Sequence, residues 1–239
     1  MVTVSWEHIA GLFAFTSVPY TPLTPRLVYN MSFRKAAARL GFSLANGCRI
    51  THGQGANVKK PFSNIPVEMH ELDAGDAPGT GKAYCGQVGF IPFDESLRLP
   101  RHVHVGILRD EGKNIFVAER ILVLNGVALV ELCGKVYVVA PGTLVTIGPG
   151  VPHTWTACPP GVKLPDGESS DGKFLMVYEY EEPTGFFPTA TTETMNSVDE
   201  YQKFEYNLED IRFPKLTRDE IVETAAFVWD RELRNDLAK

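Results

Sequence analysis

The sequence predicts an all-β barrel preceded by an irregular N-terminal segment and followed by a C-terminal helix. Between Tyr84 and Tyr180, short apolar and β-branched runs alternate with clusters of glycine and proline, a pattern typical of consecutive strands joined by tight turns. Further on, Thr217 and Glu220 form a capping-box pattern ahead of the apolar-periodic residues 221–237. The middle of the chain therefore carries the barrel, and its end carries the helix.

Three segments follow from this pattern. Residues 1–82 form an irregular arm, in which prolines interrupt the start and residues 32–40 are suited to one short helix. Residues 83–187 form the barrel, and residues 188–239 form a helical extension. We expect the arm to pack on the barrel or on a partner subunit.

Seven runs in the barrel segment have the composition of strands. Each is rich in β-branched or aromatic side chains and is bounded by turn residues, which favours a strand-turn-strand series of barrel size. The runs comprise residues 87–93, 101–108, 115–124, 127–132, 136–139, 144–147 and 174–180.

Charge and cysteine content narrow the class of partner. The net charge of −6 and the absence of a Lys/Arg-rich run argue against nucleic acid or an anionic membrane as the main partner. No apolar run reaches the roughly 18 residues that a membrane span needs, and no secretory leader pattern is present. We therefore expect a cytoplasmic protein with a small-molecule site and reduced thiols, because no C-x-x-C pair occurs among Cys48, Cys85, Cys133 and Cys158.

A predicted hairpin brings three potential metal ligands together. With Glu111 and Gly112 as its two turn residues, the residue numbers of every cross-strand pair add up to 223, and His104 lies directly opposite Glu119. Side chains alternate along a strand, so His102 and His104 share a face, and directly opposed residues share that face as well. Two imidazoles and one carboxylate are expected to converge.

The same alternation surrounds Glu119 with apolar side chains. A buried carboxylate without a partner is costly, and a metal ion held also by two imidazoles removes that cost. The alternative is a solvent-facing Glu119 paired with Arg101 or Arg120. The apolar neighbours on the expected inner face are Ile115, Val117, Ile121 and Val123.

A fourth candidate ligand is His153, which follows the Gly/Pro cluster at residues 148–152 where the chain re-enters the barrel. On its own, a histidine after a proline is more often a loop residue than a ligand. Trp155 lies two positions further on and would share the face of His153, either lining the pocket or packing in the core.

Two further sets of residues have both a structural and a functional interpretation. Tyr178 and Tyr180 alternate on an expected strand, where their face serves core packing or substrate contact. His52 and His70 lie in the irregular arm and are candidate proton carriers if the arm folds over the barrel mouth.

These residues resemble the motifs of the cupin family. The first cupin motif reads Gly, five residues, His-x-His, three or four residues, Glu, six residues, Gly, and its ligand positions and last Gly are matched by His102, His104, Glu119 and Gly126. Two departures occur, since Ser96 stands where the first Gly is expected and fourteen residues separate His104 from Glu119. A hairpin whose two arms lengthen equally keeps the pairing of its base, so the long spacing is compatible with the motif.

The second cupin motif reads Gly, five residues, Pro-x-Gly, two residues, His, three residues, Asn. Gly142, Gly150 and His153 match it in register, whereas Gly148 replaces the Pro and Ala157 replaces the Asn. The resemblance covers residues 84–180.

The resemblance implies a cupin barrel, which is a double-stranded β-helix or jelly roll, of the RmlC-like, single-domain type. It also implies one divalent metal ion on His102, His104, Glu119 and His153, with coordination positions open to substrate. Fe(II) is favoured, and Mn(II), Ni(II), Cu(II) and Zn(II) also suit such a mixed nitrogen and oxygen site.

The outward face of the expected hairpin is also apolar, so the arm, the C-terminal helix or a second subunit should cover it. We favour a homodimer, because many cupins exchange arms between subunits. The outward residues are Val103, Val105, Ile107, Phe116, Ala118, Leu122 and Leu124.

The function expected first is that of a metal-dependent dioxygenase of secondary metabolism that acts on a small aromatic or polyketide-like molecule. The second is a non-redox cupin isomerase, cyclase or decarboxylase that uses the metal as a Lewis acid. The third is a binding cupin without catalysis, whose pocket would be sealed by side chains. The sequence identifies no general acid or base.

Overall fold

The computed structural model describes residues 41–60, 69–73, 84–108, 111–229 and 232–234. The helix expected at residues 32–40 lies outside these ranges. The strands are β1 (Phe42–Ser43), β2 (Arg49–Thr51), β3 (Asn57–Lys59), β4 (Met69–Glu71), β5 (Val88–Asp94), β6 (His102–Leu108), β7 (Lys113–Phe116), β8 (Glu119–Gly126), β9 (Ala128–Leu132), β10 (Lys135–Val139), β11 (Leu144–Ile147), β12 (His153–Ala157), β13 (Lys173–Tyr180), β14 (Thr184–Pro188), β15 (Ala226–Trp229) and β16 (Glu232–Arg234).

Two β-sheets form the barrel. The first has the strand order β1-β2-β11-β8-β13-β5, and the second has the order β14-β6-β12-β9-β10-β15-β16, with β7 paired to β6. Strands β3 and β4 form a separate two-stranded ladder. The short strands β1 and β2, from the expected N-terminal arm, therefore extend the first sheet of the barrel.

The two sheets enclose one apolar core. Alternate residues of β8 and β13 in the first sheet, such as Ile121 and Phe174, pack together with Val130 and Trp155 of the second sheet, and all four are almost completely buried. These two facing sheets form the all-β barrel that the sequence predicted.

The hairpin at the start of the barrel has a different register from the predicted one. Leu108 pairs with Lys113 and Val105 pairs with Phe116, so paired residue numbers add up to 221 rather than 223. The expected two-residue turn was wrong, because four residues connect the strands. The displacement is by two positions, so every side chain keeps its predicted face.

The predicted strand 115–124 is two strands that belong to different sheets. β7 ends at Phe116, the next residue Val117 still donates a backbone hydrogen bond to His104, and β8 begins at Glu119 in the first sheet. The prediction that Glu119 pairs with His104 in one ladder was therefore wrong. Glu119 pairs instead, within the first sheet, with Ile147 of β11 and with Tyr180 of β13.

The C-terminal segment covers the outer face of the second sheet. Helix α1 (Arg218–Thr224) begins with the predicted capping box, in which Thr217 accepts a hydrogen bond from the Glu220 backbone and donates one to the Glu220 carboxylate. The helix is shorter than predicted, because residues 226–229 form β15, which runs parallel to β10. Ile221 and Phe213, with no exposed surface, pack on outward residues of β9 and β10.

Residues 195–201 cover part of the outward face of β6. Met195 packs on Val103 and Phe116, and Tyr201 lies beside this cluster. Ile107, on the same outward face, remains 57% exposed. None of the helices in the described part of the chain has the length and apolar character needed to cross a bilayer.

Candidate metal centre

Three histidines on adjacent strands of the second sheet point toward one centre. His102 and His104 alternate along β6, and His153 at the start of β12 pairs directly with His102. Their ring centroids are separated by 5.0 Å for His102 and His104, 4.4 Å for His102 and His153, and 5.2 Å for His104 and His153. One ligand atom of each lies within 4.8 Å of the other two, and all three side chains are buried, so this group can hold a metal ion.

A backbone carbonyl orients each imidazole. In all three rings Nδ1 lies within 3.0 Å of a carbonyl oxygen. Because a carbonyl oxygen can only accept, the matching tautomer carries its proton on Nδ1 and donates a hydrogen bond to that oxygen. In the neutral imidazole the other nitrogen, Nε2, then carries a lone pair directed at the shared centre. The accepting carbonyls belong to Pro100 for His102, Gly185 for His104 and Val151 for His153.

Burial keeps His102 in the form that binds metals. Removal from water lowers the pKa of His102 well below its usual value, and the neighbouring imidazoles of His153 and His104 lower it further. A neutral imidazole is a metal ligand, whereas a protonated one is not.

Glu119 reaches this centre from the facing sheet. Its Oε2 lies 3.1 Å from Nε2 of His153 and 3.4 Å from Nε2 of His104, and the side chain is almost fully buried. Burial alone would raise the pKa of Glu119, but positive charge or an Nε2 proton on His104 and His153 outweighs burial and lowers that pKa below its usual range. The carboxyl group is therefore ionised inside the barrel.

The arrangement of these atoms fits a cation. Glu119 Oε2 and the Nε2 atoms of His104 and His153 are buried and have no hydrogen-bond partner of adequate geometry. Lone pairs on neutral imidazoles and a carboxylate repel at this distance unless a proton or a metal ion lies between them. One divalent ion would satisfy all three atoms at once and would lie beside His102.

The alternative partners of Glu119 are engaged elsewhere. Arg101 forms a two-point ion pair with the buried carboxylate of Glu131, at 2.7 and 3.1 Å. Arg120 pairs with Glu179 at 2.6 Å on the outward face of the first sheet. The solvent-facing ion pair considered for Glu119 is therefore excluded.

Comparison with known proteins shows that the chain is similar in structure to several solved proteins. No protein-family model matches the chain, and no curated protein matches it. The 3′-monoepimerase ChmJ from Streptomyces bikiniensis in complex with dTDP-quinovose aligns with a TM-score of 0.39 and 11% identity, over 75% of this chain and 88% of that one.

Two other solved structures are similar at the same level. A dTDP sugar isomerase from Desulfovibrio desulfuricans G20 aligns with a TM-score of 0.36 and 15% identity, over 66% of this chain and 94% of that one. A protein of unknown function from Streptococcus pyogenes aligns with a TM-score of 0.29 and 18% identity, over 41% of this chain and 65% of that one.

Two aromatic side chains adjoin the three imidazoles. The ring of Tyr180 on β13 lies 4.6 Å from that of His104, and burial together with the nearby Glu119 carboxylate raises the pKa of the Tyr180 phenol. Phe186 on β14 lies 4.5 Å from His102 and 5.4 Å from His104 between ring centroids. Sequence reasoning did not identify Phe186, because Pro183 and Pro188 on either side of this short segment indicate a loop.

Of the two residues expected to line a substrate pocket, Trp155 lies in the apolar core and Tyr178 is half-buried beside Tyr180. Trp155 is 1% exposed and belongs to the apolar core, where its ring lies 6.3 Å from that of Phe174. Tyr178 is half-buried, lies 5.2 Å from Tyr180, and covers Gly89, whose added methyl group would approach the Tyr178 hydroxyl to 2.6 Å. A substrate contact for either residue stays a prediction.

The two histidines of the expected arm lie apart from the metal centre. His52 is buried, stacks on Trp229 at 4.1 Å, and accepts a hydrogen bond at Nδ1 from the backbone of Gln54. His70 lies on β4 and borders, with His52, a cavity of about 480 Å³ whose lining does not include His102, His104 or His153. No proton-carrying role at the metal centre is supported for either.

Proposed function

We propose that the chain is a metal-dependent enzyme that holds one divalent ion on His102, His104, Glu119 and His153. The observation that supports this proposal most strongly is the set of buried acceptor atoms that lack hydrogen-bond partners and face each other across the two sheets. Four protein ligands of this kind would leave coordination positions for a substrate, which is a feature of catalytic rather than structural metal sites.

The preferred reaction class is oxygenation of a small aromatic or polyketide-like molecule, with Fe(II) as the favoured metal. Two imidazoles and a carboxylate side by side, as in His104, His153 and Glu119, form the donor set typical of non-haem Fe(II) oxygenases, and His102 would add a fourth donor. When bound, such a metal supplies redox chemistry with O₂ and polarises oxygen atoms of the substrate.

The residues around the centre would exclude water and hold the ligands in position. The carbonyl contacts at Nδ1 fix the three rings, and the apolar inner side chains of β8, including Ile121, close the barrel below Glu119. A low-polarity chamber strengthens the electrostatic interactions of a charged substrate oxygen with the metal.

A second reaction class is supported by Tyr180. Its phenol stays protonated, because burial and the neighbouring Glu119 raise its pKa, and its ring contacts His104. A protonated group beside a Lewis-acidic metal is suited to proton transfer, so a non-redox isomerase, cyclase or decarboxylase is the alternative function.

Metal analysis and O₂ uptake test the proposal together. Protein purified without chelators is expected to contain one divalent ion per chain and, with Fe(II), to consume O₂ in the presence of an accepted aromatic substrate. Substrate conversion that continues under argon without O₂ would replace the oxygenase by the non-redox function. Absence of stoichiometric metal under all loading conditions would refute both, and a loaded protein without turnover would leave a binding cupin.

A further inference from the structure

Phe186 combines contact with the metal-binding histidines and exposure to solvent. Strand β14 pairs with β6 so that Phe186 lies directly opposite His104, which puts its ring on the inner face of the barrel. The ring packs against His102 and His104, yet 51% of the residue is exposed.

No other aromatic neighbour described for these imidazoles is exposed to this degree. Tyr180, which also contacts His104, is 5% exposed, and the histidines themselves are 1–2% exposed. One side of the Phe186 ring therefore lies on the imidazoles while the rest faces solvent. The exposed side of this ring is therefore accessible to a molecule in solution.

An exposed phenyl ring beside a buried polar centre is a binding surface for an apolar group. Leaving such a ring in water is unfavourable, and a ligand that covers it recovers the apolar contact. Aromatic rings interact favourably with each other in offset-stacked or edge-to-face geometry, which adds a preference for a planar ligand over an aliphatic one.

Strand β14 holds this ring in a fixed position. Thr184 donates a hydrogen bond from its hydroxyl to the Val105 carbonyl at 2.7 Å, and the side chain of Gln87 bonds both the N–H and the carbonyl of Thr184. On the opposite face of β14, Phe187 packs against Tyr201 with their rings 5.8 Å apart. A surface anchored from both sides is suited to selecting ligands by shape.

We propose that Phe186 is the surface on which the aromatic ring of the substrate packs while oxygen donors of that substrate reach the metal ion. This inference rests on the proposed metal centre and adds the residue that selects the substrate class. It predicts that Phe186 controls the affinity for the ring of a ligand and leaves the affinity for its metal-binding group unchanged.

Two hydroxamic acids with the same metal-binding group provide the test. Benzohydroxamate carries a phenyl ring and acetohydroxamate carries a methyl group, so their affinity ratio measures the contribution of the ring. Binding is followed by the visible spectrum of Co(II)-loaded protein. The wild-type protein should bind benzohydroxamate about tenfold more tightly than acetohydroxamate.

Three variants separate the contribution of the Phe186 ring from the effect of truncating any exposed apolar side chain. Phe186→Ala should abolish most of the preference for benzohydroxamate and keep the affinity for acetohydroxamate within about twofold of the wild-type value. Phe186→Leu should retain only the part of this preference that is due to apolar contact. Ile107→Ala is the matched control, because Ile107 is similarly exposed but lies on the outward face of β6.

The possible outcomes distinguish a failure of the Phe186 role from a failure of the proposed metal centre. Equal losses for both hydroxamates in the Phe186 variants, or no loss in either, would overturn the role of Phe186 while the metal centre stands. Failure of the wild-type protein to bind Co(II) would overturn the proposed function and this inference with it. Should Phe186→Ala fail to fold, the Phe186→Leu variant gives the same comparison.

Discussion

The carboxylate of Glu119 lies 3.1 Å from Nε2 of His153, although the two residues stand on strands of different sheets. No ladder of backbone hydrogen bonds joins β8 to β12, so this contact spans the interior of the barrel. An ion bound there would join the two sheets through their side chains. We therefore expect metal binding and stability to be coupled.

Removing a proposed ligand should empty the centre without unfolding the barrel. His102→Ala and Glu119→Ala each delete one donor from a group of four, while the core below them is unchanged. Both variants should lose the metal, and Glu179→Ala, which removes a partly exposed carboxylate on β13, should retain it. Metal content by mass spectrometry and far-UV circular dichroism test this prediction.

The same variants test the coupling to stability. For the wild-type protein, metal at about one hundred times its Kd should add about 2.7 kcal/mol to the free energy of unfolding. The His102→Ala and Glu119→Ala proteins should show no such increase. Full metal occupancy in either variant would rule out the assigned ligand.

The ion pair of Arg101 and Glu131 should be important for stability and irrelevant to metal binding. Glu131 is 3% exposed, so Arg101→Met leaves a buried carboxylate without its partner and should lower the free energy of unfolding by about 3 kcal/mol. Replacing both residues by apolar ones, as in Arg101→Met/Glu131→Leu, should recover most of that loss. Denaturant unfolding measures both values.

An Arg101→Met protein as stable as the wild type would show that the pair is not buried in solution. A loss of metal in this variant would instead link Arg101 to the adjacent His102. We expect neither result.

Two buried thiols should make the protein less stable in alkali. Burial raises the pKa of Cys48 and of Cys158 to about 12. As pH rises above about 9, the unfolded chain loses these protons while the folded chain retains them, so stability should fall by about 1.4 kcal/mol per thiol for each pH unit.

A comparison of unfolding free energies at about pH 9 and about pH 10 isolates this effect. The Cys48→Ala/Cys158→Ala protein should show a smaller decrease than the wild type over this interval, because its unfolded state has two fewer thiols to ionise. An identical decrease in both proteins would contradict the assigned burial of the thiols.

We propose that the outward face of β5 is covered by a second copy of the chain. Val88 and Phe90 are 68% and 69% exposed, and within the described ranges β5 pairs with β13 alone. The wild-type protein should be a homodimer by light scattering, and Phe90→Asp should shift it toward monomer. Tyr206→Asp, at a residue that is 81% exposed, should leave the dimer intact.

Either a monomeric wild-type protein or a Phe90→Asp dimer of unchanged stability would contradict the dimer. Metal content should be the same in all three proteins, since Phe90 faces away from the core.

Alternation along strands explains how much of the centre could be predicted. The His-x-His spacing alone places His102 and His104 on one face, and any even displacement of the hairpin preserves that face. The predicted burial of Glu119 among Val117, Ile121 and other apolar residues is also observed. These features depend on local sequence, so no knowledge of the long-range fold was needed.

The position of Glu119 was predicted for the wrong physical reason. Residues 115–124 are apolar apart from Glu119 and Arg120, and this pattern gives no sign that the chain changes sheets near Ala118. A carboxylate opposite His104 in a ladder and one facing it across the barrel are both close to the imidazole. Local pattern cannot distinguish these two arrangements, because sheet membership depends on contacts distant in sequence.

The C-terminal strand and Phe186 were missed because their environments are set by tertiary structure. Ala226 and Val228 are buried in the barrel core, and the same apolar run fits a helix as well as a strand. Phe186 occupies a five-residue strand after Pro183, where composition indicates only a loop.

Anomalous diffraction from crystals of the metal-loaded protein, recorded on either side of the absorption edge of the metal, would locate the proposed ion. We expect one strong peak between the sheets, about 2.0–2.2 Å from Nε2 of His102, His104 and His153 and from one oxygen of Glu119. Loaded crystals without a peak inside the barrel, or with Glu119 turned toward bulk water, would contradict it.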